Sequence, residues 1–308
     1  MTAPPRPAAV ILGTRASPLA RTQTALVVER LRTAWPDLSC EVRILDTAGD
    51  RTQASGEPLP EIGGKGLFTE ELERALRDGE IDFAVHSLKD LPTEEPEGVV
   101  VGAVTAREDP RDCMVGGELA SLREGAVVGT SSLRRAAQLR AARADLEICS
   151  IRGNVDTRVR RVRNGEFDAA VLAAAGVRRL GLEDEVSEWL PPELMLPAPG
   201  QGALAIQCRA DDPVLELVRA IDDPAAQAET TAERAFLRAL GAGCAAPVAA
   251  LAVATETPRV RLQGLVASVD GAQMVRVHGE GHAPEIGEQL ALSALADGAD
   301  RILAATGG

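Results

Sequence analysis

Short apolar runs alternate with longer amphipathic ones from the start of the chain to about residue 180, the pattern of an α/β sheet. Ala8–Leu12 reads as a strand, and Ser17-Pro18 then supplies an N-cap and a first-turn proline for a helix reaching about Trp35. Cys40–Leu45 predicts a strand, Leu67–Arg77 a helix, and Ile81–Val85 and Val99–Val104 two more strands. A second round follows: Ala126–Val128 strand, Leu133–Arg143 helix, Leu146–Ile151 strand, Val155–Val162 helix and Phe167–Leu172 strand.

The two rounds share a junction. Gly13-Thr14-Arg15-Ala16-Ser17 follows the first strand, and Gly129-Thr130-Ser131-Ser132-Leu133-Arg134-Arg135 follows its counterpart. In each, a strand ends in Gly-Thr and a hydroxyl-rich turn opens a helix, which aims backbone N–H groups and the positive helix end at an anion. Two such lobes imply a cleft between them. Thr47–Gly66, rich in glycine and without periodicity, reads either as a surface loop or as a lid, and its length favours a lid.

Beyond Pro191 the character changes. Pro197–Gly202 breaks regular structure, Leu204–Cys208 looks like a strand returning to one lobe, and Ala225–Leu240 is an alanine-rich helix. Val248–Thr255, Arg259–Ala267 and Gln273–Val277 then alternate as strands before a closing helix, Glu285–Ala296, which predicts a separate domain built on an antiparallel sheet.

Charge sharpens this picture. The 308 residues carry a formal net charge of −13, yet Arg134–Arg179 holds eleven arginines against five acids, a local +6 that leaves −19 for the rest. An acidic chain with only four Phe, two Trp and no Tyr is a poor nucleic-acid binder, so the arginines point to small anions held locally. No apolar run is long enough for a signal-peptide core or a bilayer span. Five cysteines (40, 113, 149, 208, 244), odd in number and without a C-x-x-C, argue against a disulfide framework or a zinc site and for a reducing cytoplasm.

Only two of the 33 basic residues are lysines. Lys89 lies in Val85-His86-Ser87-Leu88-Lys89-Asp90 at a strand end, and Lys65 in Gly63-Gly64-Lys65-Gly66 at the end of the candidate lid, a stretch without Walker A spacing. A solvated Lys-Asp pair is the plain alternative for residues 89 and 90. Arg15, Arg134, Arg135, Arg152, Arg158 and Arg179 occupy or adjoin strand-to-helix junctions, where paired guanidinium hydrogen bonds suit a polycarboxylate. Arg140, Arg143, Arg160, Arg161 and Arg163 read as a solvated helix face. Cys40, Cys149 and Cys208 fall in apolar strand patterns and are expected to be buried; Cys244 sits instead in a turn of small residues, Gly241–Pro247.

In order along the chain come Gly-Thr-Arg-x-Ser-Pro-Leu-Ala (13–20), Gly-Gly-Lys-Gly-Leu-Phe (63–68), Val-His-Ser-Leu-Lys-Asp-Leu-Pro (85–92), Arg-Glu-Asp-Pro-Arg-Asp (107–112), Gly-Thr-Ser-Ser-Leu-Arg-Arg (129–135), Arg-Gly-Asn-Val-x-Thr-Arg (152–158), Gly-Gln-Gly-Ala (200–203), Glu233-Arg-Ala-Phe-Leu and the Cys244 turn. This series resembles the porphobilinogen deaminase (hydroxymethylbilane synthase) family of tetrapyrrole biosynthesis from about residue 10 to the C-terminal helix.

The resemblance implies an α/β fold of two periplasmic-binding-protein-like lobes with mixed sheets, plus a smaller α+β C-terminal domain with an antiparallel sheet. It divides the chain into residues 1–106 with 203–222 (lobe 1, with lid 47–66), 107–202 (lobe 2) and 223–308. It implies a cytoplasmic transferase, a monomer with no nucleic-acid or membrane partner, that joins four porphobilinogen molecules head to tail into linear hydroxymethylbilane on a dipyrromethane primer. Cys244 would hold that primer by a thioether. Asp90, with Lys89 beside it, would stabilise the cationic azafulvene and shuttle protons. Ser87, Lys89, Asp90, Thr130, Ser131, Ser132, Arg134, Arg135 and Gly153 would contact the primer. Arg15, Ser17, Lys65, Phe68, Arg152, Arg158 and Arg179 would contact the substrate and its acetate and propionate groups. Glu61, where some relatives carry a basic residue, and Ala242 and Ala245 in the cysteine turn depart from the family pattern. The alternative class is a non-catalytic two-lobed anion receptor, which accounts for the duplicated turns but not for the cysteine turn or the third domain.

Overall fold

The computed structural model describes residues 7–47, 69–243, 245–256 and 258–306. Its strands, in chain order, are β1 (Ala9–Arg15), β2 (Ser39–Leu45), β3 (Phe83–Ser87), β4 (Val99–Val104), β5 (Asp112–Val115), β6 (Val127–Gly129), β7 (Glu147–Cys149), β8 (Ala169–Ala173), β9 (Val186–Trp189), β10 (Leu204–Arg209), β11 (Val248–Glu256), β12 (Arg259–Ala267) and β13 (Met274–His282). The chain forms two compact units, Met1–Ala106 with Ala203–Asp223, and Arg107–Gly202 with Pro224–Gly308.

The first unit holds one mixed sheet of order β2-β1-β3-β10-β4. β1 runs parallel to β2 and β3, whereas β10 is antiparallel to β3 and β4. In the second unit the order β7-β6-β8-β5-β9 repeats the same plan: β6 is parallel to β7 and β8, and β5 is antiparallel to β8 and β9. Two mixed five-stranded sheets of one design are thus present, as the duplicated junctions predict. They differ in where the fourth strand comes from. β10 joins the first sheet only after the chain has built the second, while β5 precedes its own sheet's parallel strands.

The middle strands explain the cores. β3 and β8 read Phe-Ala-Val-His-Ser and Ala-Ala-Val-Leu-Ala and are buried at their first four positions, as a strand covered on both faces must be. Val10, Leu12, Phe83, Val85 and Ile206 pack one face of the first sheet against Val27, Val28 and Leu31 of the helix Pro18–Ala34. Leu72, Ala75 and Leu76 of the helix Glu70–Arg77 cover the other face, against Ile81 and Ala84.

The third sheet is an antiparallel meander, β11-β12-β13, within the second unit. One face packs on the helices Pro224–Ala239 and Glu285–Ala294 through Phe236, Val248, Leu262, Val277 and Leu290. Its opposite face meets Leu196 through Ala249, Leu251 and Leu265.

Several expectations change. The β5 strand, the helices Ala174–Arg179, Leu215–Arg219 and Asp300–Thr306, and β9 have no counterpart in the hydrophobic pattern. β5 is only four residues long and opens on the fully buried Asp112, which breaks the apolar run that marks a strand. Cys208 is buried as expected, but Cys40 and Cys149 are only half-buried, because β2 and β7 are the edge strands of their sheets. Arg140 is not merely solvated: its Nη1 donates to Val269 O at 2.6 Å. Arg143 likewise donates to Leu119 O and Leu122 O at 2.8 and 3.0 Å, pinning the turn beneath its helix. Arg161 pairs with Glu166, and Arg163 with Glu185, while Arg160 bonds Thr157.

Candidate functional site

In the first unit, the ends of β1 and β3 carry the expected residues. At Gly13 a Cβ would strike Ile81 Cδ1 and lie 2.9 Å from Leu72 Cδ2, so these two side chains fill the space that the glycine leaves. Ser17 accepts a hydrogen bond from Ala20 N at 3.3 Å, so its hydroxyl caps the helix Pro18–Ala34 as the Ser-Pro pair predicts. Arg15 is half-buried at the end of β1. Ser87 ends β3 and accepts a 2.8 Å bond from Nε2 of Gln23, a buried glutamine on that helix. A short turn, Leu88–Asp90, follows, with Leu88 N bonded to Ala203 O at 3.0 Å; it presents Lys89 half-buried and Asp90 exposed. An exposed carboxylate three residues beyond a strand end is accessible to a ligand and held by a rigid scaffold.

His86 precedes them and is buried. Burial pushes its pKa down to about 4, the charge of Arg15 adds to that, and Gln207 opposes it. The imidazole is therefore neutral at ordinary pH, with no hydrogen bond to Nε2 among the described residues.

In the second unit, β6 ends at Gly129, where a Cβ would lie 3.0–3.1 Å from Ile151. Thr130 is buried, and its Oγ1 accepts from Ser132 N at 3.2 Å. Ser132 in turn caps the helix Leu133–Ala142 by accepting from Arg135 N. Ser131 is exposed and bonds Ser150 Oγ and Ile151 O. Arg134 and Arg135 are turned inward, only 4% and 6% exposed, and both are ion-paired to Asp112. Arg152 is exposed after β7, and Gly153 takes a φ of +104°, which favours glycine. Arg158 is half-buried and its Nε donates to Gly153 O at 2.8 Å; Arg179, also half-buried, donates to Gly202 O at 2.6 Å.

Gln23, His86, Asp112 and Gln201 are buried polar residues to which the sequence assigned no role, although the last three stand in the motifs quoted above. Gln23 had a signal: with Thr24 it interrupts the buried stripe of Val27, Val28 and Leu31. Lys65, Phe68, Glu61 and Cys244 lie outside the described residues, as does nearly all of the candidate lid. Among the described residues there is no group of three or more potential metal ligands, and no helix is long and apolar enough to cross a membrane.

Comparison with known proteins adds to this geometry. Residues 10–216 match the family described as "Porphobilinogen deaminase, dipyromethane cofactor binding domain", and residues 227–296 its C-terminal domain. The chain is 48% identical to the porphobilinogen deaminase of Brevibacillus brevis over 95% of its own length and 96% of that protein. It is 50% identical to the enzyme of Moorella thermoacetica, covering 95% of both. A solved structure, the BenM effector-binding domain with its effector benzoate, is similar at a TM-score of 0.41 and 14% identity, over 69% of this chain and 90% of that one.

Proposed function

This chain belongs to the porphobilinogen deaminase family, and from that premise we propose how its residues divide the work of joining four porphobilinogen molecules into hydroxymethylbilane. The observation that carries the reading is the extent of the family's cofactor-binding match. It spans both Gly-Thr turns, the β3 end with Asp90, and every arginine singled out above. The receptor alternative accounts for neither that match nor the match to the C-terminal domain.

The residues present fit a dipyrromethane, which carries acetate and propionate groups and two pyrrole N–H groups. Arg134, Arg135, Arg152, Arg158 and Arg179, with the Thr130–Ser132 hydroxyls, form a donor set suited to several carboxylates. Cys244 would hold the group covalently. When bound, it supplies a terminal pyrrole carbon as the nucleophile for chain growth.

Asp90 is exposed and acceptor-only when ionised, so it can sit against a pyrrole N–H and favour the positive charge that develops as porphobilinogen loses ammonia. The same carboxylate can take and return a proton as each new bond forms. Lys89 and Arg15 supply positive charge near that strand end for substrate carboxylates, and Ser87, held by Gln23, adds a fixed hydroxyl. Gly153 supports the turn from which Arg152 and Arg158 project.

We divide the chain into three domains, 1–106 with 203–222, 107–202 and 223–308. The support is that each sheet has its own core, with Met114, Val128 and Leu139 in the second and Phe236 and Leu262 in the third. The net charge of −13 supports action on a small molecule rather than on nucleic acid, five cysteines without a C-x-x-C support a cytoplasmic location, and the family resemblance supports a monomer.

Intact mass of the purified protein tests the reading. The expected result is the sequence mass plus a two-pyrrole adduct with a positive Ehrlich reaction, both lost in Cys244→Ser. An unmodified mass after expression with porphobilinogen available would overturn it.

A further inference from the structure

Asp112 has no part in the reaction as described, yet it is the hub of the second unit's arginines. It opens β5 and is fully buried. Its Oδ1 accepts from Arg135 Nε at 3.2 Å, Arg135 Nη2 at 2.7 Å and Gln201 Nε2 at 2.8 Å. Arg134 Nη1 lies 2.8 Å from its Oδ2. The remaining bonds recorded for these guanidinium groups go to neutral carbonyls, Leu196 O at 2.6 Å from Arg134 and Val171 O at 3.0 Å from Arg135.

Two buried guanidinium groups share one carboxylate, and no second acid is paired with either arginine among the described residues. The cluster therefore carries one unit of positive charge away from water, which is costly unless a counter-ion arrives. The local energetics agree. Burial works against the Asp112 charge, but Arg134 and Arg135 outweigh it and hold its carboxyl well below the usual range. Burial and Arg135 together lower the Arg134 pKa despite Asp112.

We propose that Asp112 is a positioning residue that fixes Arg134 and Arg135 and cancels one of their two charges, leaving one for a single carboxylate of the bound pyrroles. This rests on the functional reading above, in which the two arginines contact the primer. Asp112 itself would touch neither primer nor substrate. A second carboxylate would neutralise the cluster and abolish its pull, and no carboxylate would leave +2 and two loosely held forks.

The experiment uses the full-length protein and two variants, Asp112→Asn and the double variant Asp112→Asn/Arg135→Gln, which restores the charge count without restoring the geometry. The readouts are the fraction of chains carrying the two-pyrrole adduct by intact mass, kcat per loaded chain, KM for porphobilinogen, and the thermal midpoint. In Asp112→Asn we expect the adduct fraction and kcat per loaded chain to fall about 10- to 100-fold, the range for displaced positioning groups, with KM little changed. The double variant is expected to regain thermal stability but not loading. A lower midpoint with wild-type loading and turnover in either variant would make Asp112 merely structural and overturn the proposal, as would failure of both variants to fold. Failure of the functional reading looks different: the wild-type chain itself would then carry no adduct and consume no porphobilinogen.

Discussion

Arg107 and Glu233 form a two-point ion pair, Nη1 to Oε1 at 2.7 Å and Nη2 to Oε2 at 3.0 Å, with the glutamate side chain wholly buried. The same carboxylate also accepts from Gly200 N at 2.7 Å and Ala252 N at 2.8 Å. Burial pushes the Glu233 carboxyl above its usual range, against the pull of Arg107 and of the two backbone N–H groups. One side chain of the helix Pro224–Ala239 thus ties together Arg107, the 197–202 segment and β11.

Breaking that pair should be expensive. Either Arg107→Ala or Glu233→Gln leaves buried polar groups without partners, and we expect each to destabilise the protein by about 3–5 kcal/mol. Because the two remove one interaction, the double variant should lose clearly less than the sum of the singles. Urea unfolding at neutral pH measures all three, and additive losses, or singles under about 1 kcal/mol, would show that the pair is not the tie.

The hairpin between β12 and β13 is keyed to the helix Leu133–Ala142. Gly271 has a φ of +74°, and a Cβ there would lie 2.5 Å from Ala137 O and 2.9 Å from Ala141 N. Gly125 has a similar φ of +69° with nothing within 4 Å. Gly125→Ala should therefore cost only the backbone strain, about 1–2 kcal/mol, whereas Gly271→Ala should cost that plus displacement of the hairpin. Equal losses in thermal unfolding would mean the close approach has no energetic weight.

Much of this was legible in the sequence, and the parts that were not share a cause. β4 and β12 fall on the residues their apolar patterns predict, Val99–Val104 and Arg259–Ala267, because each is a run long enough to show a pattern. The two junctions were legible because Gly-Thr and a capping serine are local chemistry. The place of Arg134 and Arg135 at a junction was legible, but their burial against Asp112 was not, since a charged side chain reads as exposed until a distant partner neutralises it, and Asp112 is some twenty residues from its arginines. Arg140 failed for the same reason: its acceptor, Val269 O, is 129 positions away. His86 fell one residue past the predicted strand Ile81–Val85, whereas β3 runs Phe83–Ser87, and its neutrality depends on burial that periodicity cannot supply.

That buried imidazole gives a pH dependence. His86 has a folded pKa of about 4 against 6.5 for an ordinary histidine. Between those values the unfolded chain binds the proton and the folded chain does not, so acidification favours unfolding. The associated stability is fully present above pH 6.5 and is lost as pH falls to about 4, on the order of 3 kcal/mol in all. His86→Gln should flatten the stability curve across that window relative to the wild-type chain; an unchanged slope in urea titrations would assign the acid sensitivity elsewhere.

Asp90 separates chemistry from folding most cleanly, because it is exposed on a short turn whose bond from Leu88 N to Ala203 O does not involve its side chain. Asp90→Ala should leave stability within about 0.5 kcal/mol of wild type, as surface substitutions do. If its carboxylate favours the developing positive charge and moves protons, turnover should fall about 10²- to 10⁴-fold, and Asp90→Asn, which keeps the shape but not the charge, should fall nearly as far. The comparison must be made per chain carrying the two-pyrrole adduct, so that impaired primer assembly is not mistaken for slow condensation. Asn activity close to wild type would show that position 90 contributes a hydrogen bond rather than a charge, and the acid–base role would then belong to another group.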